Sequence, residues 1–456
     1  MTRLLAPDAF GIVALATFFF SVLQLRTKVD VARAFVQLPA SGGTAVGTMV
    51  ALDLAAALLT VLLTAIAALV VPLAGYPPEV GVAVTALGGI GVVEAAGSLP
   101  TVLLDKRLRF GRASLMTAIA LPISYLPAFA AAWLGAGYWS LILQLAVQAG
   151  IYSAGLFWIG REAIAESWRE GWALSRAMAS RLVSFGVAWG VGGLAVLLTS
   201  QLDTFLVGTV VGLEELGFYD RAYRIALWPS ILVTGIVSRT SYVAYARLQG
   251  EPERLARAAT LTLWFISRAS LPIGLALLAA APSLVEVLYG PRWLPAAPFL
   301  RLLVAVSLLR PLIEDLVVLL GAVGRPRLAA LTNWSGALAL LLLGPPLTLA
   351  AGGIGTAAAV GLAYAVAAVV ASRLVGRVVR LPAGELIGPP VVALLAGGAL
   401  AIVVSVVAAE AGLPLRLALE VIPPLAAFAA VLWLLERERL GERVRSAVRL
   451  ARSGDA

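Results

Sequence analysis

Neither cysteine nor histidine occurs among the 456 residues. Without cysteine the chain can form no disulfide and no thiolate metal site. Without histidine it lacks the side chain that most often serves as a general base or metal ligand near neutral pH. The sequence also shows no nucleophile–base pair, and its Gly-x-Gly matches fall inside apolar segments rather than in a phosphate-binding loop. We therefore expect a protein that is not an enzyme and that needs no metal and no cofactor.

Charge is scarce as well. Only 13% of the residues are charged whereas 61% are hydrophobic, which lies well outside the range of soluble globular proteins. Apolar runs of about 20 residues, the length that spans a bilayer core, recur along the chain. The runs are continuous, whereas barrel strands are short and alternate, so helices are expected. The sequence predicts an all-α polytopic membrane protein. We place thirteen spans, with approximate bounds 8–26, 45–74, 82–104, 113–134, 138–159, 182–212, 217–246, 260–288, 296–322, 328–350, 353–376, 387–409 and 415–435.

The net charge of +9 does not indicate nucleic acid, because the basic residues concentrate in alternate loops between spans. One set of loops, with the C-terminal tail, holds 25 lysines and arginines, whereas the other set holds three. By the positive-inside rule the first set is cytoplasmic. The C-terminus is therefore predicted to lie on the cytoplasmic side of the cytoplasmic membrane. The basic tail, 436–456, is predicted to be an amphipathic helix suited to anionic lipid, or else an ordinary positive-inside stop.

An internal repeat divides the chain. Residues 4–16 align with 210–222 at an offset of 206, which matches Gly11 to Gly217, and 103–112 align with 319–328 at an offset of 216. Two six-helix halves in the same membrane orientation are expected from such a repeat. We predict an N-terminal lobe at 1–181 and a C-terminal lobe at 182–380. Two extra helices follow at 381–435, and the tail is 436–456. Since span 182–212 has no counterpart in the first half, we expect the first helix of that half to be missing from this sequence.

Arginines inside the predicted spans belong to the second half. Arg221, Arg224 and Arg239 lie on one stripe of the predicted helix 217–246, together with Trp228 and Tyr242. Two more, Arg268 and Arg310, are the deepest within their spans. Because arginine inside a bilayer usually faces a protein interior or a water-filled cavity, these residues predict a cationic cavity wall. The guanidinium fork suits phosphate oxygens, which makes an anionic ligand the expected substrate.

Acidic residues offer the alternative interpretation. Arg310 and Glu314 are one helical turn apart and could form an ion pair. If the other arginines are paired in the same way, the cluster is architectural. The first half contributes only Asp53 and Glu94 within its spans, and the repeat places Glu94 opposite the region of Arg310, which suggests a gate. Asp53, Glu94, Glu314 and Asp315 are the candidates for a gate or for a coupling-ion site.

The stretch 203–250 carries a pattern, DxxLVGxxxG…LGFYxRAYRI…WP…ARLQG, that resembles the polysaccharide transporter, or oligosaccharide flippase, family. Residues 4–19, 289–303 and 321–334 are similar to other loops and helices of that family. The resemblance implies two six-helix lobes around a central cavity plus two C-terminal helices. It also implies export of an undecaprenyl-diphosphate-linked oligosaccharide by alternating access, in the company of membrane lipids and of polymerases or glycosyltransferases of the same pathway. The diphosphate role is carried over to Arg221, Arg224, Arg239, Arg268 and Arg310.

Three alternatives stay open at this point. A lipid II flippase would use the same carrier chemistry, and a drug exporter of the same superfamily would need an acidic cavity. A membrane glycosyltransferase or polymerase on the same carrier would need a catalytic acidic pair or a large outer loop, and the predicted outer loops are short.

Overall fold

The computed structural model describes residues 1–24, 31–37, 42–107 and 110–452. Within these ranges, no side-chain position is described for residues 33, 37, 110, 112, 113, 188–192, 236, 239 and 438–452. The described ranges contain helices and turns and no strand. The predicted all-α fold is confirmed.

The described part of the chain contains seventeen α-helices. The first eight are α1 (Pro7–Leu23), α2 (Val31–Gln37), α3 (Gly43–Leu73), α4 (Pro78–Ala96), α5 (Ser98–Lys106), α6 (Phe110–Trp133), α7 (Trp139–Arg169) and α8 (Arg176–Leu206). The remaining nine are α9 (Leu213–Ala226), α10 (Trp228–Arg247), α11 (Pro252–Ala279), α12 (Ala281–Tyr289), α13 (Ala296–Ser307), α14 (Arg310–Ala322), α15 (Pro326–Val375), α16 (Ala383–Val407) and α17 (Leu413–Arg452).

Long apolar helices dominate this series. Nine helical segments in the described part of the chain are long and apolar enough to cross a membrane, which identifies a multi-pass membrane protein. One of them, α15, runs for 50 residues but is broken at Ala351 and Gly352, whose backbone angles are not helical. This break falls between the two spans predicted to end at 350 and to begin at 353. The total of thirteen spans stays a prediction.

Proline divides three spans that were predicted as single helices. The helix predicted at 217–246 is two helices, α9 and α10, and the second has Pro229 as its second residue. Pro282 and Pro311 hold the same position in α12 and α14, and thereby interrupt the spans predicted at 260–288 and 296–322. Proline lacks the N–H that would continue the preceding helix and is tolerated in the first turn of the next one. The long arginine-bearing helix that was expected is thus interrupted at Leu227, whose backbone angles remain helical.

The chain forms two compact units, Met1–Gly217 and Phe218–Ala456. Phe35, Met49 and Leu182 belong to a buried core of the first unit, so α8 packs with the first unit although the repeat assigned it to the second half. The second unit has a core that includes Tyr245, Leu319 and Val375. The lobe boundaries drawn from the repeat stay a prediction.

Two glycines singled out by the repeat make reciprocal contacts inside the first unit. The backbone of Leu213 lies against Gly11, and the backbone of Pro7 lies against Gly217, so closely that neither glycine could carry a Cβ without movement. The offset of 206 that matches Gly11 to Gly217 also matches Pro7 to Leu213. The two contacts are therefore equivalent under the repeat, which supports it. Small residues permit such close helix approach in membranes.

Candidate substrate site

Arg310 joins three helices of the second unit. Its Nε donates to Glu314 Oε1 at 2.8 Å within α14, and Nη1 donates to the hydroxyl of Tyr223 on α9 at 3.3 Å. Its Cζ lies 5.9 Å from the ring centroid of Tyr364 on α15, within the range of a cation–π contact. The side chain nevertheless keeps 25% of its surface exposed. Arg310 is thus an anchored, partly accessible cation in an apolar helical unit.

Tyrosines flank this arginine. Tyr223 stacks on Tyr219 with ring centroids 6.2 Å apart, and the buried Tyr219 meets Phe299 edge-on at 5.8 Å. Sequence reasoning overlooked Tyr223 and Tyr364 as site residues. Both tyrosines of α9 lie in the family-like segment LGFYxRAYRI, but the helical stripe drawn through the arginines selected Trp228 and Tyr242 instead.

Arg221 and Arg224 share one carboxylate. Asp220 accepts from both nitrogens Nε and Nη2 of Arg221, the first at 2.9 Å, and from Nε of Arg224 at 3.1 Å. The Arg221 side chain is only 17% exposed, whereas that of Arg224 is 61% exposed. The two arginines carry one more charge than Asp220, and Arg224 is the more exposed of the two.

The rest of the predicted stripe lies on α10. Trp228 and Tyr242 are exposed, by 38% and 49%. The side chain of Arg239 lies outside the described residues, so that its predicted role is not tested. α9 ends at Ala226, but the N–H of Leu227 donates to the carbonyl of Tyr223 at 3.1 Å and its carbonyl accepts from the N–H of Ile231 at 3.0 Å, so helical hydrogen bonds continue across the interruption.

Arg268 is placed differently from the expectation. Its guanidinium forms an ion pair with Glu436 of α17, and it donates to the backbone carbonyls of Leu386 at 3.0 Å and Glu385 at 3.1 Å in the first turn of α16. Its side chain is only 8% exposed. These partners place Arg268 level with the ends of two other predicted spans. Its contacts give it an architectural position, and its part in substrate binding stays a prediction.

Trp264 completes this cluster. Its Nε1 donates to Glu436 Oε2 at 3.2 Å, and its ring centroid lies 5.1 Å from Cζ of Arg268. Glu436 was missed because the sequence assigned it to the solvated tail. A buried acid in α17, Glu420, was missed as well; its Oε1 accepts from Arg416 at 3.0 Å.

The predicted gate and ion residues fall two in each unit, and each pair is described within its own unit. In the first unit Asp53 is buried and accepts a hydrogen bond from Ser98 Oγ, whereas Glu94 is exposed. In the second unit Glu314 pairs with Arg310, and Asp315 is 1% exposed. The predicted gate between Glu94 and Arg310 stays a prediction.

A cavity of about 800 Å³ with a mostly apolar lining lies within the first unit. Glu94 and Ser98 line it together with Gln148 and Tyr152 of α7, which were not singled out from the sequence. Cavities that hold a ligand of this size combine apolar walls with a few polar groups. Among the described residues, no group of three or more acidic side chains could hold a metal ion.

The all-α architecture matches that of a solved membrane protein. The solved structure of the lipid II flippase MurJ in an inward closed conformation matches 95% of this chain and 94% of that chain with a TM-score of 0.74. At 13% sequence identity this likeness shows the fold alone.

The family follows from the sequence itself. Residues 1–298 match the family model described as polysaccharide biosynthesis protein, and the chain belongs to that family. The resemblance drawn from the motifs is thereby confirmed. Relatives include the succinoglycan biosynthesis transport protein ExoT of Rhizobium meliloti, which is 27% identical over 66% of this chain and 60% of its own length. The teichuronic acid biosynthesis protein TuaB of Bacillus subtilis is 30% identical over 42% of this chain and 39% of its own length. The matched stretches therefore span less than two thirds of these relatives.

Proposed function

We propose that this protein moves a lipid-diphosphate-linked oligosaccharide across the cytoplasmic membrane by alternating access. The family and the names of its relatives connect the chain to polysaccharide biosynthesis, and one relative is named a transport protein. The fold is that of the solved lipid II flippase MurJ. In this proposal the C-terminus is cytoplasmic, the chain is not an enzyme, and the repeat defines two lobes followed by two extra helices.

The observation that carries the proposal is the partly exposed guanidinium of Arg310. An arginine among apolar membrane helices is costly unless it faces protein or water and has a function or a partner. Arg310 has Glu314 as its partner, yet it keeps part of its surface accessible and stands beside the tyrosine ring of Tyr364. A cation with adjoining aromatic rings suits a substrate that joins phosphate to sugar, because arginine binds phosphate oxygens and aromatic rings present apolar faces.

Arg221, Arg224 and Arg239 extend this cationic surface in the proposal. Arg224 is the most exposed of the described pair and is available to a diphosphate, whereas Arg221 holds Asp220 in place. Arg268 orients helices instead of binding substrate. The coupling ion, and the polymerases or glycosyltransferases of the same pathway as partners, remain parts of the proposal that rest on the family resemblance.

Among the alternatives, a cation-drug exporter is disfavoured by the net positive charge of Asp220, Arg221 and Arg224. A lipid II flippase shares the diphosphate chemistry and differs in the sugar. The polysaccharide family favours an oligosaccharide repeat unit over lipid II.

The test compares a strain that lacks the gene with strains that carry wild type, Arg310→Gln or Arg254→Gln. Arg254 pairs with Glu251 on the surface and is 52% exposed, which makes it a matched charge-loss control. We expect lipid-linked oligosaccharide to accumulate in the inner leaflet in the deletion strain and with Arg310→Gln, at matched protein levels, but not with Arg254→Gln. Normal export in the deletion strain would contradict the proposed function.

A further inference from the structure

A buried carboxyl group in the second unit is not used by the proposed substrate site. Asp315 lies in α14 and is 1% exposed. Its neighbour Leu316 belongs to a large apolar core that also contains Leu263, Leu319 and Tyr245. Acidic residues are almost never fully buried unless they are paired. The contacts of this carboxyl group therefore require an explanation.

The hydrogen-bond partner of Asp315 is a neutral hydroxyl group. Tyr245 on α10 donates from its hydroxyl to Asp315 Oδ2 at 2.8 Å, and Tyr245 itself is completely buried. The other oxygen, Oδ1, is buried and has no hydrogen-bond partner among the described residues. The hydroxyl of the buried Ser241 is close enough to influence the carboxyl group.

The other buried acids of the second unit differ in this respect. Glu420 and Glu436 each pair with an arginine, as do the partly buried Asp220 and Glu314. Asp315 forms no ion pair within the described part of the chain. An ionised carboxylate in an apolar environment costs several kcal/mol when no cation compensates it, roughly as for other buried unpaired charges. A protonated carboxyl group avoids this cost and still accepts a hydrogen bond on its second oxygen.

Charged groups on the packed elements do not change this picture. α10, α13 and α15 pack against α14, and their arginines with described side chains are exposed: Arg247, Arg301, Arg327 and Arg373. On α11, Arg268 is paired with Glu436, and the hydroxyl of Thr262 lies near that of Tyr245. On α14 itself, Arg310 is paired with Glu314. The side chain of Arg239 on α10 is not among those described.

We propose that Asp315 is a reversible proton-binding site: the carboxyl group carries its proton on Oδ1 while Oδ2 accepts from Tyr245, and this bond holds α10 to α14. Loss of the proton would leave a charge inside the core that contains Leu316 and Leu319. α10 and α14 would then have to separate, or water or a cation would have to enter. Proton binding is thereby linked to the packing of α10, the helix that follows the arginine-bearing α9.

Buried hydroxyl groups continue from this site along α10. Ser230, Thr234, Ser241 and Tyr245 are spaced by four, seven and four residues, which places them on one helical face, and all four are buried. Thr234 Oγ1 donates to the carbonyl of Ser230 at 2.6 Å, whereas Ser230 Oγ has no partner among the described residues. A hydroxyl both donates and accepts, so this stripe provides polar groups suited to a proton in an otherwise apolar interface.

The first experiment uses purified full-length protein and does not measure transport. Dicyclohexylcarbodiimide, an apolar reagent, adds the O–H of a protonated carboxyl group across one C=N bond, and the adduct rearranges to a stable N-acylurea. Peptide mass spectrometry then locates the label. We expect labelling of Asp315 near neutral pH that declines as the pH rises, its loss in Asp315→Asn, and no labelling of the exposed Glu251.

The second experiment keeps the proposal testable if the reagent cannot reach the site. Thermal stability is measured for wild type and Asp315→Asn across a pH series, with Glu251→Gln as the control because Glu251 is an exposed acid in a surface ion pair with Arg254. A carboxyl group that is protonated in the folded state loses this stabilisation as the pH rises, since the unfolded chain releases the proton. We therefore expect the stability of Asp315→Asn relative to wild type to increase with pH. A difference that is constant with pH, or that grows as the pH falls, would overturn the proposal whether or not the protein transports the proposed substrate.

Discussion

The ion pair between Arg268 and Glu436 provides the clearest prediction about stability. The perturbation is Arg268→Met, which keeps a long apolar side chain and removes the charge. It leaves Glu436 buried, since the two side chains are only 8% and 7% exposed. It also removes the hydrogen bonds that the carbonyls of Glu385 and Leu386 accept from the guanidinium. These contacts connect α11 to α16 and α17, so the change should loosen the last two long helices.

The magnitude follows from the contacts. Removing one partner of a buried ion pair costs roughly 3–5 kcal/mol. Trp264 continues to donate to Glu436 at 3.2 Å, so that we expect the lower end of this range, about 3 kcal/mol. Solvent screening should reduce it little, because both side chains are buried. Glu436→Gln should cost less, about 1.5–3 kcal/mol, since the carbonyls and Ser267 still accept from Arg268.

The assay is a double-mutant cycle in detergent, in which unfolding of wild type, Arg268→Met, Glu436→Leu and the double variant is compared. The double variant leaves neither charge buried, so its loss should be smaller than the sum of the single losses by about 1–3 kcal/mol. Additive losses would show that the two residues do not interact. A stable Arg268→Met variant that cannot transport would refute the architectural role and return Arg268 to the substrate site.

Three further predictions concern other parts of the chain. Arg310→Gln should weaken binding of a lipid diphosphate roughly ten- to a hundredfold, because one charge-assisted interaction is lost. It should cost less stability than Arg268→Met. Binding measurements and melting curves of the same sample check both expectations. Gly217→Ala should destabilise the first unit by about 1–3 kcal/mol, because the added methyl group meets the backbone of Pro7. Gly235→Ala should not, because a Cβ there meets no other atom within 4 Å. Thermal melts of both variants check this. Tyr245→Phe should shift the pH dependence of carbodiimide labelling at Asp315, since the carboxyl group loses its hydrogen-bond donor.

The sequence predicts the class of fold well because bilayer length and charge distribution are strong constraints. Continuous apolar runs identify the long helices, and the two spans predicted to meet between 350 and 353 meet at the non-helical residues Ala351 and Gly352. Helix interruptions were harder to predict. Pro229, Pro282 and Pro311 lie within apolar runs, and a run alone does not tell whether proline kinks a helix or starts a new one.

The site could be predicted only in part, because partners distant in sequence determine what an arginine does. Arg310 and its pairing with Glu314 follow from a spacing of four residues. Glu436, by contrast, is 168 residues from Arg268 in the chain, and its membership of a basic tail concealed the ion pair. Likewise, the stripe through Arg221 and Tyr242 assumed an uninterrupted helix, whereas Pro229 begins a second helix after Leu227.

The most direct test of the account reconstitutes the purified protein in vesicles and measures transfer of a short lipid-linked oligosaccharide between leaflets. The same glycan is presented on a diphosphate and on a monophosphate carrier, to wild type and to Arg310→Gln. We predict transfer of the diphosphate form by wild type, slower transfer of the monophosphate form, and a selective loss of the preference in Arg310→Gln. No transfer of either form above protein-free vesicles, or transfer that Arg310→Gln leaves unchanged, would contradict the claim that this cationic site carries a lipid-linked diphosphate.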